Sequence, residues 1–163
     1  MKKLIYQAGP LFSDAEKEWH ARLSKKLEKA GHEVIWPGAL LTDAQVAAAG
    51  GRAPELLFQT CKAALDRCCE LDASRNARLA EMNYADSDEQ GGACVVALLD
   101  GPQVDDGTAW EIGYACARGL PVYGIRTDSR QAGETRFNRV NSMVECSLSG
   151  LASTVQELLK LIR

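Results

Sequence analysis

Asp100, Asp105, Asp106 and Glu111 crowd one short stretch of the chain and are its first candidates for chemistry. Carboxylates gathered in a cleft raise one another's pKa, whereas a helix N-terminus lowers it. Asp100 follows an apolar run, Asp105 and Asp106 fall in the loop after it, and Glu111 lies about one turn into a helix that Thr108 opens. The helix terminus favours an ionised Glu111, the state a nucleophile needs. Asp106 reads instead as an acid complementing the helix dipole. Gly107 permits close approach of a ligand to the backbone. Gly113, inside the helix, costs ~1 kcal/mol against alanine, which implies tight packing or a nearby ligand. Tyr6 lies within the first strand, and its hydroxyl needs a partner if buried. A carboxylate near the strand ends is one candidate.

Other chemistries are thinly supplied. Two histidines, His20 and His32, leave little room for a catalytic triad and none for a multi-histidine metal site. The six cysteines contain no C-x-x-C pair, so neither a zinc ribbon nor a dithiol redox motif is supported. Cys94 and Cys116 sit in apolar segments and read as reduced, structural thiols. The net charge of −3 comes without a basic stripe, which argues against a nucleic-acid polymer as partner. The longest apolar run, residues 93–99, is far below the ~20 residues of a membrane span. The start of the chain is too short in apolar residues for a signal peptide. A cytoplasmic protein with no cofactor or metal is the expectation.

The elements that position these residues alternate. Leu4 to Ala8 reads as a strand broken by Gly9-Pro10. Ser13 to Glu16 is a capping box, and Ala15, Trp19, Leu23 and Leu27 follow on one helix face up to Gly31. Glu33 to Trp36 is a second strand. Thr42 to Gln45 caps a short helix, and Ala53 to about Cys69 forms another, with Leu57, Cys61, Ala64, Leu65 and Cys68 on one side. Residues 70–92 are polar and ambiguous. Leu71, Leu79 and Met82 suit a helix, and Asp86 to Gly92 a loop. Cys94 to Leu99 suits a central strand buried on both faces. Thr108 to Arg118 is a helix, Pro121 to Ile125 a strand, Asn141 to Cys146 a short strand, and Ser153 to Gln156 caps a final helix. The pattern predicts one domain over residues 1–163. Its fold class is α/β, a doubly wound, Rossmann-like or flavodoxin-like parallel sheet with helices on both faces. Ligands of such sheets bind beyond the carboxyl ends of the strands, here the turns after Ala8, Trp36, Leu99 and Ile125. The first turn, Gly9 to Asp14, is neither G-x-G-x-x-G nor a Walker sequence. The last, Arg126 to Arg130, suits either a polar ligand or ion pairs within the loop.

The segments Tyr6 to Phe12, Val96 to Gly101 and Val104 to Ala115 together resemble the nucleoside 2-deoxyribosyltransferase family, and Asn141-Ser142-Met143 is similar to a late segment of it. The resemblance spans Tyr6 to about Met143. It implies transfer of 2-deoxyribose between nucleobases through a glycosyl ester of a glutamate, a two-step scheme like that of retaining glycosidases. Carried onto this chain, Glu111 is the nucleophile, Tyr6 orients it, and Asp105 binds sugar or base. Ala8, Gly9, Phe12, Gly107, Asn141 and Met143 fall in substrate-binding positions. Asn141 is expected to reach a neighbouring subunit's site, which implies a homo-oligomer with shared sites. Phe12 and Trp36 suit walls for the base and suit the core equally. The expected partners are a small nucleoside and a free nucleobase.

Two departures qualify the match. The family places an acid, for the leaving base's proton, where this chain has Cys61. A probable insertion at about 69–92 then follows. Asp86, Asp88 or Asp66 are substitutes for that acid, or the base is protonated otherwise. The chain also ends in an amphipathic helix, so a terminal carboxylate entering a neighbour's site is not carried over. Two other functions remain open on the same residues. One is an N-glycoside hydrolase of nucleosides or nucleoside 5′-monophosphates using Glu111. The other is a non-catalytic nucleotide-sensing module. The first loop has no basic residue, which favours a free nucleoside over a monophosphate.

Overall fold

In the computed structural model, which describes residues 2–81 and 91–162, five strands form one all-parallel sheet. They are β1 (Leu4–Ala8), β2 (Glu33–Ile35), β3 (Ala93–Leu98), β4 (Val122–Ile125) and β5 (Gly150–Ala152), in spatial order β2-β1-β3-β4-β5. Every residue of β3 is buried, as a continuous apolar run at the sheet's centre requires. It pairs with β1 from Leu4↔Ala93 to Ala8↔Ala97. This order places the topological switch between β1 and β3, where doubly wound sheets bind ligands beyond the strand ends.

Among the described residues six α-helices accompany the sheet: α1 (Asp14–Lys29), α2 (Asp43–Ala49), α3 (Ala53–Glu81), α4 (Asp106–Ala117), α5 (Ser142–Glu145) and α6 (Val155–Leu161). Side chains alternate across a strand, so the sheet feeds two cores. Ile5, Cys94 and Val96 pack with Leu23 and Leu27 of α1 and Leu158 of α6. Tyr6, Val95 and Ala97 pack with Leu65 and Cys68 of α3 and Ile112 of α4. The expected boxes form: Ser13 Oγ accepts from Glu16 N–H while Ser13 N–H donates to Glu16 Oε2 at 2.7 Å, and Thr42 and Gln45 do the same. Gly31, at φ +95, ends α1 in a conformation other residues adopt poorly. No helix among the described residues is long and apolar enough to cross a membrane.

Several local expectations are corrected. α4 begins at Asp106, two residues before the expected start at Thr108, because Asp105 is its N-cap. Asn141 to Cys146 is not a strand; Asn141 caps α5 through its side chain, and the fifth strand is Gly150–Ala152 instead. The last helix is capped by Thr154, not Ser153, since Glu157 supplies the following N–H. Ala15 is exposed, and the buried stripe of α1 runs through His20, Leu23 and Leu27. Cys116 is exposed as well, because Ile112 and Ala115 occupy the inner face of α4.

α3 runs well past Cys69. Asp72, buried, accepts from the N–H of Ala93 at the start of β3 (3.1 Å) and from Asn76 Nδ2 (3.0 Å). A Cβ at Gly92 would fall 2.1 Å from Asp72 Oδ1, so glycine is needed where helix and strand meet. The described part of the 69–92 segment therefore extends from the amino edge of the sheet. Asp86, Asp88 and Met82 lie outside the described residues.

Candidate active site

β1 and α4 bring one carboxyl and one phenol together. Tyr6 is fully buried on the α3/α4 face, and the partner its hydroxyl requires is Glu111: Tyr6 OH donates to Glu111 Oε1 at 2.5 Å. α4 is held to this geometry at its first turn. Asp105 Oδ2 accepts from Thr108 N–H (2.8 Å) and Thr108 Oγ1 (2.9 Å), and Asp106 Oδ1 accepts from Gly107 N–H. These bonds satisfy N–H groups that a helix start leaves unpaired. A Cβ at Gly107 would lie 3.2 Å from Asp105 Oδ2, so glycine lets the capping carboxylate close over the turn.

The electrostatics run against the sequence expectation for Glu111. Its pKa is raised to about 7, first by burial and also by the charge of Asp105, with the Tyr6 hydrogen bond opposing. The helix terminus does not set its state because Glu111 lies in the second turn and points into the protein. The dipole acts mainly within the first. Burial, and then the Glu111 charge and hydrogen bond, push the Tyr6 phenol far above the ordinary tyrosine range, so it stays a donor. Cys61 of α3 lies beside this pair, its thiol pushed up by burial and by Glu111.

A cavity of about 260 Å³ opens on Glu111, lined by Leu57, Phe58 and Cys61 of α3 and Gly107, Trp110 and Glu111 of α4. Phe58 is 46% and Trp110 45% exposed, with ring centroids 5.3 Å apart at 66°. Trp110 also stacks on Tyr114 at 5.1 Å. Phe58 and Trp110 escaped sequence reasoning. Trp110 adjoins Glu111 in the chain, but only the packing of α3 against α4 brings Phe58 to it.

The remaining expected site residues sit elsewhere. Ala8 is buried in β1, and the close approach at Gly9 is internal: at φ +154, a Cβ there would meet the His20 ring at 2.4 Å. His20 is itself buried, with Gln7 Nε2 2.8 Å from its Nδ1, and burial lowers its pKa to about 4. Phe12, 82% exposed, forms no wall of the Glu111 cavity. Trp36 stacks on His20 with its centroid 6.2 Å away. Asn141 lines a different cavity of about 620 Å³, with Gln103, Asp106 and Glu134, and donates through Nδ2 to Glu134. Met143 is 79% exposed. Gly113 is not demanded by packing within the chain, since an added Cβ meets nothing within 4 Å.

The last turn resolves toward internal bonding. Buried Arg126 donates to the carbonyls of Leu99, Gly101 (3.0 Å) and Arg130 (2.8 Å). Asp100 accepts from Thr127 N–H (2.6 Å) and Asp128 N–H (3.0 Å), so the loops after β3 and β4 brace one another. Asp66 is also engaged. It accepts from Tyr114 OH (2.5 Å), Lys62 Nζ (2.6 Å) and Arg118 (3.2 Å), with Lys62 and then Tyr114 holding its carboxyl below the usual range. A proton donor needs the opposite shift.

Fold and site thus define a doubly wound α/β protein with a buried carboxyl–phenol pair beside an aromatic cavity. Its structure is similar to that of a conserved protein from Enterococcus faecalis V583, at 25% identity and TM-score 0.57 over 99% of this chain and 98% of that one. It shares its fold with a 2-deoxyribosyltransferase from the psychrotolerant bacterium Bacillus psychrosaccharolyticus, at 18% identity and TM-score 0.64 over 96% and 90%. No curated protein matches the chain. Residues 5–145 match the family model for nucleoside 2-deoxyribosyltransferases, and the chain belongs to that family.

Proposed function

We propose that the protein is a nucleoside 2′-deoxyribosyltransferase that works through a covalent ester on Glu111. The observation that carries this reading is the buried Tyr6–Glu111 pair facing an open cavity. Tyr6 holds Oε1 and leaves Oε2 to attack C1′ of the sugar. The C1′–N bond breaks as the ester forms, and a second nucleobase then attacks C1′ and releases Glu111. A 2′-deoxy sugar favours this route, because no 2′-hydroxyl withdraws electrons from the oxocarbenium-like transition state. Asp105 contacts the sugar or base from the capped turn. Asn141 lines a cavity other than that of Glu111, which fits a role in a neighbouring subunit of a cytoplasmic homo-oligomer. The residues lining the Glu111 cavity include no basic side chain, which supports a free nucleoside as substrate.

Incubation with deoxyinosine and adenine tests the reading. Deoxyadenosine is the expected product. Free deoxyribose and hypoxanthine alone make the protein a hydrolase, and binding without turnover makes it a sensing module.

A further inference from the structure

We propose that the Glu111 cavity favours 2′-deoxynucleosides whose base already carries a positive charge, such as N7-alkylated purines, over ordinary neutral ones. This rests on the reading of Glu111 as nucleophile and names the substrate class of that site.

The first support is the cavity wall. Leu57, Phe58 and Trp110 supply apolar and aromatic surface, and both rings are about half exposed toward solvent. Aromatic faces attract cations, tryptophan most strongly. The stack to which Trp110 belongs already collects them: Lys62 Nζ lies 5.3 Å and the Arg118 guanidinium 5.7 Å from the centre of the Tyr114 ring. Those two cations are paired with Asp66. Glu111 is the one charged side chain among the residues lining the cavity, and the charge of Asp105 acts on it. Aromatic surface and carboxylates together recognise a cation.

The second support is the fate of the leaving group. A neutral base departs as an anion unless a proton reaches it, and a positioned general acid is worth ~10²–10⁴-fold. Among the described residues around Glu111, no group is set to give that proton. The Cys61 thiol and the Tyr6 phenol are both pushed up by burial, and Tyr6 is committed to Glu111. Asp105 accepts two hydrogen bonds from Thr108. Asp66 accepts from two cations and a phenol. An N7-alkylated purine needs no proton. Glu111 bonds to C1′, the C1′–N9 bond breaks, and its electron pair returns to N9, so the cationic ring leaves as a neutral base. In the second half, water or an acceptor base bonds to C1′ as the C1′–O bond to Glu111 breaks. The proton of the attacking group passes to the freed carboxylate and then to solvent.

The test compares 7-methyl-2′-deoxyguanosine with 2′-deoxyguanosine on the full chain, each corrected for spontaneous cleavage. The expected preference in kcat/KM is at least about 100-fold, the weight of a positioned general acid. Because the methylated base is intrinsically the better leaving group, two variants make the comparison specific. Cys61→Asp, which places a carboxylic acid on the wall, is expected to raise the kcat/KM of deoxyguanosine at least tenfold relative to that of the cationic substrate. Trp110→Leu is expected to raise KM for both substrates, and about tenfold more for the cationic one than for deoxyguanosine. A preference below tenfold, or variants that act on both substrates alike, overturns the proposal and leaves the Glu111 reading standing. Turnover of neither substrate overturns both.

Discussion

Two tyrosine–carboxylate pairs bridge neighbouring parts of this fold, and they differ in what surrounds the same bond. Tyr6 donates to Glu111 and Tyr114 to Asp66, each at 2.5 Å. Asp66 also has Lys62 and Arg118, and its carboxyl is held below the ordinary range. Glu111 has no cation among the residues lining its cavity, and burial raises it to about 7. A phenol hydrogen bond favours the carboxylate in both places, so burial and neighbouring charge decide the outcome. One pair is an ion-pair network on the outer surface of two helices. The other is a carboxyl poised to change charge near neutrality, where functional groups cluster.

Removing each carboxyl in turn should break this comparison most sharply. Glu111→Gln should lower transferase turnover by at least about 10⁴-fold, as loss of a nucleophile does, with product formation by chromatography as the readout. Tyr6→Phe should cost about 10–100-fold, the value of a hydrogen bond to a charged group. Its pH profile carries a second signature. In the parent, kcat/KM should rise about tenfold per pH unit below about 7, as Glu111 ionises, and level off above. Without the phenol that favours the carboxylate, the rise should move to higher pH.

Stability should change in the opposite sense to activity. Glu111 has a folded pKa raised from 4.5 to about 7, so between those values the native state holds more protons than the unfolded one. Stability therefore falls as pH rises through that window, by up to about 3 kcal/mol. Glu111→Gln lacks this dependence and should melt above the parent at pH 8, with the gap closing toward pH 4.5 in thermal scans. The smallest effect belongs to the other pair. Asp66→Asn should change turnover less than about threefold and stability by about 1 kcal/mol or less, because an ion pair open to solvent contributes little.

The sequence carried the sheet well because its signals are local. The buried run Ala93–Leu98 and the boxes at Ser13 and Thr42 are each written in a few adjacent residues. β5 is three residues long and has no periodicity to recognise. Beyond Cys69 the pattern of α3 is ambiguous, with Leu71 and Leu79 at helical spacing among polar residues, and nothing local marks Asp72 as buried, since its partner is the N–H of Ala93, far along the chain. At the site, Tyr6, Asp105, Gly107 and Glu111 stand out by type and spacing. The raised pKa of Glu111 does not, because it depends on burial by elements remote in sequence. The aromatic corner of Phe58 and Trp110 was hidden for the same reason, as α3 and α4 meet only in three dimensions.

The covalent role of Glu111 is tested most directly by trapping. A nucleoside of 2-deoxy-2-fluoroarabinose slows both steps, because fluorine opposes the developing positive charge at C1′, and the ester should then accumulate. Mass spectrometry of the digested protein should find one fluorinated pentosyl group on Glu111, absent after addition of a free acceptor base and absent from Glu111→Gln. Turnover of deoxyinosine to deoxyadenosine with no adduct under any trapping condition, or an adduct on another residue that persists in Glu111→Gln, contradicts it.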